Sequence, residues 1–177
     1  WSPRLELSGM TFPSLSIAER TAIYPQFAPA SLPGEKPSIS VVGLGYVGAV
    51  SMACLAHLGF RMVGVDVSQE KVHAIRQGVS PMVEERLGDL LAEGVEAGLI
   101  TATENIVAAV LSTTVTFLSV GTPTSEDGGC DLTFVRHASR AMGQAIGMKD
   151  GYHVVVLRCS VPPGTTLENG ATLTPFT

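Results

Sequence analysis

The sequence predicts an α/β fold: a doubly wound parallel sheet built by a single domain behind an extended N-terminal arm. Three observations carry this. Short β-branched runs alternate with segments of helical apolar spacing, as βαβ units require. The first such run ends in a cluster of glycines that opens a helix, at Gly43, Gly45 and Gly48. The chain, at 177 residues, has room for one core of ordinary size and not for two comfortable domains.

Composition narrows the class. Charged residues are 15% and hydrophobic ones 45%, so the chain can bury a core. Eleven basic residues against sixteen acidic give a net charge of −5, which argues against a nucleic-acid surface. The three cysteines (Cys54, Cys130, Cys159) are scattered without CxxC spacing. They favour neither a disulfide framework nor a metal site, and fit a reducing, cytoplasmic compartment. The chain begins at Trp1, which suggests a fragment or processed product.

Residues 1–37 hold six of the eleven prolines and show no sustained period, so they read as an extended, poorly ordered arm. Behind a basic start they lack the apolar run of a secretory signal. From Pro37 to Phe60 no Lys, Arg, Asp or Glu occurs, 24 residues in all, long enough to span a bilayer. Three glycines crowd its middle, however, and β-branched residues precede them. The stretch divides into a buried strand, a turn and a buried helix, with no membrane span.

The elements then follow in order. Ile39–Val42 is a strand stopped by Gly43. Tyr46–Leu58 is a helix with Val47, Val50, Cys54 and Leu58 on its expected core face, and Gly59 ends it. Arg61–Asp66 is a strand, and Ser68 caps a helix to about Gln77. Glu84–Ala97 is a helix with Leu87, Leu90, Leu91 and Val95 at core spacing and two glutamates at its positive end. A short strand near Ile100–Thr103 precedes a helix over Glu104–Leu111. Thr114–Val120 is a strand ended by Gly121-Thr122-Pro123. Asp131 caps a long helix with apolar positions 134, 135, 138, 141, 142 and 145. His153–Arg158 is a last, buried strand, continued by Cys159. No internal repeat is present.

Gly43-Leu44-Gly45-Tyr46-Val47-Gly48 is GxGxxG, and its context gives it meaning: it follows a strand, opens a helix, and an acid ends the next strand. Gly43 permits the tight turn, Gly45 lets a pyrophosphate approach the backbone, and Gly48 lets helix and strand pack closely. The helix N-terminus then holds the anion. Asp66, 18 residues after Gly48, is placed to bind the adenosine ribose hydroxyls and to repel a 2′-phosphate. This is a Rossmann-like site for NAD rather than NADP. Gly121-Thr122-Pro123 and Ser160 follow strands on the side where such sheets bind ligands, though a plain turn explains the first equally well. Cys54 is expected to face the core, Cys159 to continue a buried strand and Cys130 to sit in the Gly128-Gly129 loop. None has a histidine at a spacing that would activate it. The four histidines show no catalytic or metal spacing.

The segments VVGLGYVGAV, VGVDVSQEKV, GVSPMVEERL, LSVGTPTSEDG and VVLRCSVPPGT, in this order, resemble the N-terminal domain of the nucleotide-sugar 6-dehydrogenases, a family that includes UDP-glucose and GDP-mannose dehydrogenases. The resemblance covers residues 38–166. AEGVEAGLITATENI and the Asp-Leu pair after the GTP loop are most like the GDP-mannose enzymes. The resemblance implies that Tyr46 and Val47 contact NAD, that Asp66 binds the ribose, and that Lys71 reaches the adenosine side. It also implies that Thr122 lies near the nicotinamide half. Ser160 stands at the family's Thr and keeps its hydroxyl, whereas Cys159 replaces a Ser. Glu85 stands where the family often has Pro.

The family reaction oxidises the sugar C6 alcohol to a carboxylate in two NAD-dependent steps through a cysteine thiohemiacetal. Its catalytic cysteine, lysine and asparagine match no position here, so the chain as given is expected to be inactive, with no catalytic residue of its own. Residues 167–177 do not read as the family's next helix. The implied partner is a nucleotide sugar, and a homo-oligomer is expected only of the full-length protein. Two other readings remain: a non-enzymatic NAD-binding module, and another oxidoreductase of the hydroxyacid or hydroxyacyl-CoA type, against which the GTP loop and the CSVPPGT turn speak.

Overall fold

The computed structural model describes residues 36–126 and 128–167, together with the strand pair β1 (Glu6–Leu7) and β2 (Met10–Thr11). Within the arm, β1 and β2 pair antiparallel, Glu6 with Thr11 and Leu7 with Met10. This small ladder was not expected from a stretch without period; two residues per strand are too few to show one. Residues 1–5, 8–9 and 12–35 of the expected arm lie outside the described residues.

Five parallel strands form the sheet: β3 (Ile39–Val42), β4 (Met62–Val65), β5 (Ile100–Thr103), β6 (Val115–Leu118) and β7 (Val154–Leu157). Their order is β5-β4-β3-β6-β7, the doubly wound arrangement the sequence predicts. The helices are α1 (Tyr46–His57), α2 (Gln69–Arg76), α3 (Leu87–Glu96), α4 (Ile106–Ser112) and α5 (Thr133–Gly147).

Strand alternation sorts the core onto two faces. Ile39 and Val41 join residues of α1, α2 and α3 in one cluster. Val42, Val63, Val65 and Leu118 join α4 and α5 in the other. The chain reverses its winding between β3 and β6, so a crevice opens at the carboxyl ends of these strands, where such sheets bind ligands. No helix among the described residues is long and apolar enough to cross a membrane.

Four expectations are corrected. The core face of α1 is Gly48, Ala49, Met52, Ala53 and Ala56, and Val47, Cys54 and Leu58 are exposed. The helix is apolar on every side, so its period could not select a face. Closeness to the sheet selected the small residues: a Cβ on Gly48 would stand 1.9 Å from the Gly43 carbonyl oxygen.

Next, α3 begins at Leu87, not Glu84. Arg86 before it adopts φ 62°, and Asp89 is the acidic residue of the first turn. In α5, Phe134 is 54% exposed, because Val135 beside it takes the core position. Finally, β7 is the outermost strand with one neighbour. Val154 is exposed, and Cys159 lies half-buried beyond the strand's end.

The caps of α2 and α4 follow their sequences. The Ser68 Oγ accepts the Lys71 N–H at 3.4 Å, and the Asn105 side chain accepts that of Ala108 at 3.0 Å. In α5 the expected cap is displaced: the N-cap is Leu132, which no side chain caps, and Asp131 one residue earlier accepts the Thr133 N–H at 2.8 Å, the Thr133 side chain and backbone together holding its carboxyl below the usual range. Residues 165–167 carry helical backbone, so Leu167 departs from the irregular tail expected there. Residues 168–177 lie outside the described part.

A polar chain crosses the sheet at the amino ends of the strands, opposite the crevice. Lys149 Nζ donates to the Val110 carbonyl at 2.9 Å and also to that of Thr113, and it meets His153 Nδ1 at 3.0 Å. His153 Nε2 lies 2.9 Å from Thr116 Oγ1, which lies 2.6 Å from Ser40 Oγ. An ammonium can only donate, so Nδ1 accepts and the Nε2–H donates to Thr116. Burial, with the charge of Lys149 beside it, pushes the His153 pKa down to about 3.

Candidate cofactor site

The glycine loop is held from both sides. The Gly43 N–H donates to the Val65 carbonyl at 2.7 Å. Gly43 adopts φ +97°, and a Cβ there would come within 2.6 Å of the Ser119 carbonyl oxygen. Glycine is therefore required twice over, by conformation and by space. Leu44, between the first two glycines, is fully buried. Its side chain fills the room left by Gly64, where a Cβ would stand 3.0 Å from Leu44 Cδ2. Burying that leucine contributes about 2 kcal/mol to holding the loop on the sheet.

Gly45 differs. No atom lies within 4 Å of where its Cβ would stand, so its backbone faces open space. It is the N-cap of α1, no side chain caps the helix, and no acidic residue occupies its first turn. The leading N–H groups of a helix have no partner within it. An uncapped, unobstructed N-terminus is what an approaching pyrophosphate needs. Tyr46 (58% exposed) and Val47 (42%) flank this opening.

Asp66 closes the other side. Its Oδ2 accepts the Leu44 N–H at 2.8 Å, and its Oδ1 accepts the Ser68 N–H at 2.9 Å. Lys71 Nζ lies 3.5 Å from Oδ2. Each carboxylate oxygen has two lone-pair directions, so capacity remains for ribose hydroxyls. Thus Gly43, Gly45, Tyr46, Val47, Gly48, Asp66 and Lys71 gather at the carboxyl ends of β3 and β4.

Thr122 and Ser160 form a second group beyond β6 and β7. The Thr122 hydroxyl donates to the Ser160 carbonyl at 3.0 Å, so it is the Ser160 backbone that meets Thr122. Cys130 Sγ lies 3.8 Å from the same carbonyl. Burial, followed by the neighbouring Cys130, pushes the Cys159 thiol up. The sequence placed Cys130 in a glycine loop with no partner. Its contact with a residue 30 positions away arises from an isolated bridge between Thr124 and Cys130, which no local pattern reveals. Ser119 was also missed: its Oγ is sealed from solvent and makes no hydrogen bond among the described residues.

Residues 37–174 match the model of the UDP-glucose/GDP-mannose dehydrogenase family, NAD binding domain. The chain belongs to this family, and its cofactor is NAD.

The GDP-mannose 6-dehydrogenase of Azotobacter vinelandii is 48% identical over 127 residues, which are 72% of this chain and 29% of that protein. A UDP-glucose 6-dehydrogenase of Bacillus subtilis is 37% identical over the same length, 27% of its own chain. The crystal structure of a ternary complex of GDP-mannose dehydrogenase from Pseudomonas aeruginosa superposes with TM-score 0.73 at 42% identity, covering 78% of this chain and 31% of that one. The chain therefore spans less than a third of the length of each of these three proteins. The residues present fit the dinucleotide: the cradle over Gly45 is one that a Cβ would fill, and Asp66 stands at the end of the adjacent strand with hydrogen-bonding capacity to spare.

Proposed function

We propose that this chain is the NAD-binding part of a nucleotide-sugar 6-dehydrogenase that oxidises the C6 alcohol of GDP-mannose to the carboxylate of GDP-mannuronate with two NAD. UDP-glucose is the second candidate. The observation that carries the reading is the open helix N-terminus at Gly45 beside the Asp66 carboxylate, within a chain of this family. The 48% identity to a GDP-mannose 6-dehydrogenase, against 37% to a UDP-glucose enzyme, favours the first sugar nucleotide.

In this reading Gly45, Tyr46 and Val47 seat the pyrophosphate on α1, and Gly48 lets that helix pack closely enough on β3 to present them. Asp66 and Lys71 hold the adenosine ribose, and Thr122 and Ser160 line the nicotinamide end. The bound nicotinamide supplies the hydride acceptor. The thiol that would hold the intermediate aldehyde is not among Cys54, Cys130 and Cys159. All three are free, which fits a reducing cytoplasm.

A chimera tests this. Residues 38–166 replace the matching segment of the Azotobacter enzyme, and NADH absorbance is followed with GDP-mannose and with UDP-glucose. Production from GDP-mannose alone is expected. A chimera that folds and binds NAD but reduces none with either sugar would sink the proposal.

A further inference from the structure

We propose that Lys71 helps set the choice between NAD and NADP: it is a cation held in check by Asp66, and it favours a 2′-phosphate that the carboxylate disfavours. The inference rests on the reading of Asp66 as the ribose-binding acid, and it concerns what stands beside that acid.

Asp66 is deeply placed, with a side chain 10% exposed, and both its oxygens are pinned by backbone N–H groups of Leu44 and Ser68. Its charge cannot swing away from the ribose position. Lys71 is the opposite case. Its backbone is fixed in the first turn of α2 by the Ser68 cap, while its side chain is 40% exposed and reaches back to Oδ2 at 3.5 Å. One ammonium hydrogen faces the carboxylate, and the other two can meet a ligand.

NAD and NADP differ only in the phosphate on the adenosine 2′-oxygen. A lone carboxylate at that position would exclude the phosphate by repulsion. A carboxylate with an ammonium beside it repels less, because the two fields oppose each other at a point close to both. The selectivity of the site is thus a difference between two side chains of opposite sign, and specificity arises as such differences. Lys71 should matter more to NADP, which brings about two additional negative charges to its vicinity, than to NAD.

The test is calorimetric titration of the purified chain and its variants with NAD and with NADP, read as the ratio of the NADP to the NAD dissociation constant. Lys71→Gln should raise this ratio about threefold or more, and Lys71→Arg should leave it near the original value. Asp66→Asn should lower it about tenfold or more, and adding Lys71→Gln to that variant should return part of the change. The Asp66→Asn background keeps the effect of Lys71 readable where the unaltered chain binds NADP too weakly to measure. A ratio that Lys71→Gln leaves unmoved in both backgrounds overturns the inference while leaving the ribose role of Asp66 intact. If Asp66→Asn, with native circular dichroism, changes neither dissociation constant, the ribose reading falls and the inference falls with it.

Discussion

The Asp66 carboxylate accepts the backbone N–H of Leu44 across the strand ends at 2.8 Å, tying the residue proposed to meet the ribose to the loop proposed to meet the pyrophosphate. Asp66→Ala therefore removes a ligand contact and a loop restraint together. NAD affinity should fall by about 1.5–3 kcal/mol, the worth of a charge-assisted hydrogen bond. Calorimetry checks this, and an unchanged dissociation constant would count against the assigned role.

Two glycines of the same motif should respond in opposite ways. A Cβ at Gly48 would stand 1.9 Å from the Gly43 carbonyl oxygen and 3.3 Å from Val41 Cγ1. Gly48→Ala should cost about 2–4 kcal/mol of stability as helix and strand are forced apart. Gly45→Ala meets no protein atom, so its melting temperature should stay within a degree or so while NAD affinity drops about tenfold or more. Thermal unfolding with and without NAD separates the two, and a large loss of stability in Gly45→Ala would refute the assignment.

Arg86 is the one non-glycine residue with positive φ among the described residues, at 62°. Left-handed backbone costs a side-chain-bearing residue about 1–2 kcal/mol. Arg86→Gly should raise stability by about 1 kcal/mol, net of the entropy glycine adds to the unfolded chain. Urea unfolding measures this, and a lower midpoint would mean that the arginine makes a compensating contact.

His153 should make the fold acid-sensitive. Its pKa is lowered from 6.5 to about 3 by burial and by Lys149. A histidine held neutral contributes stability that is complete above the unfolded pKa and is lost as pH falls from 6.5 toward 3. The slope approaches 1.4 kcal/mol per pH unit, so about 2 kcal/mol should be gone at pH 5. Urea midpoints between pH 7 and pH 5 should show this slope, and His153→Gln should flatten it. An equal slope in the variant would assign the effect to other groups.

The chain by itself should not sustain NADH production from GDP-mannose or UDP-glucose. Holding an aldehyde on sulfur needs a thiolate with a lowered pKa. The Cys159 thiol is pushed up, and Cys54 lies on the exposed side of α1. Sustained production that Cys130→Ala abolishes would contradict this.

The strand and glycine pattern makes the architecture legible in the sequence. Ile39–Val42 and Ile100–Thr103 match their expected bounds residue for residue, and the reversal of winding follows from βαβ order. The motif likewise led to Gly45, around which the structure leaves open space. What stayed hidden shares one cause. The face of α1, the start of α3 and the exposure of Phe134 depend on which neighbours arrive from elsewhere in the chain. An uncharged helix such as α1 offers two equally apolar stripes, and only the nearness of the sheet chooses between Ala53 and Cys54. Lys71 over Asp66, and Cys130 against Ser160, are likewise tertiary meetings that local spacing does not encode.

The close approach of Gly43 to the Ser119 carbonyl joins the turn after β3 to the turn after β6 through main chain alone. In the proposed binding mode the span from the anchoring end of the cofactor to its reactive end is then gauged by peptide geometry, a ruler that side-chain drift at Thr122, Cys159 or Ser160 does not stretch. Replacement of a hydroxyl by a thiol at the reactive end can thus proceed without resetting the anchor.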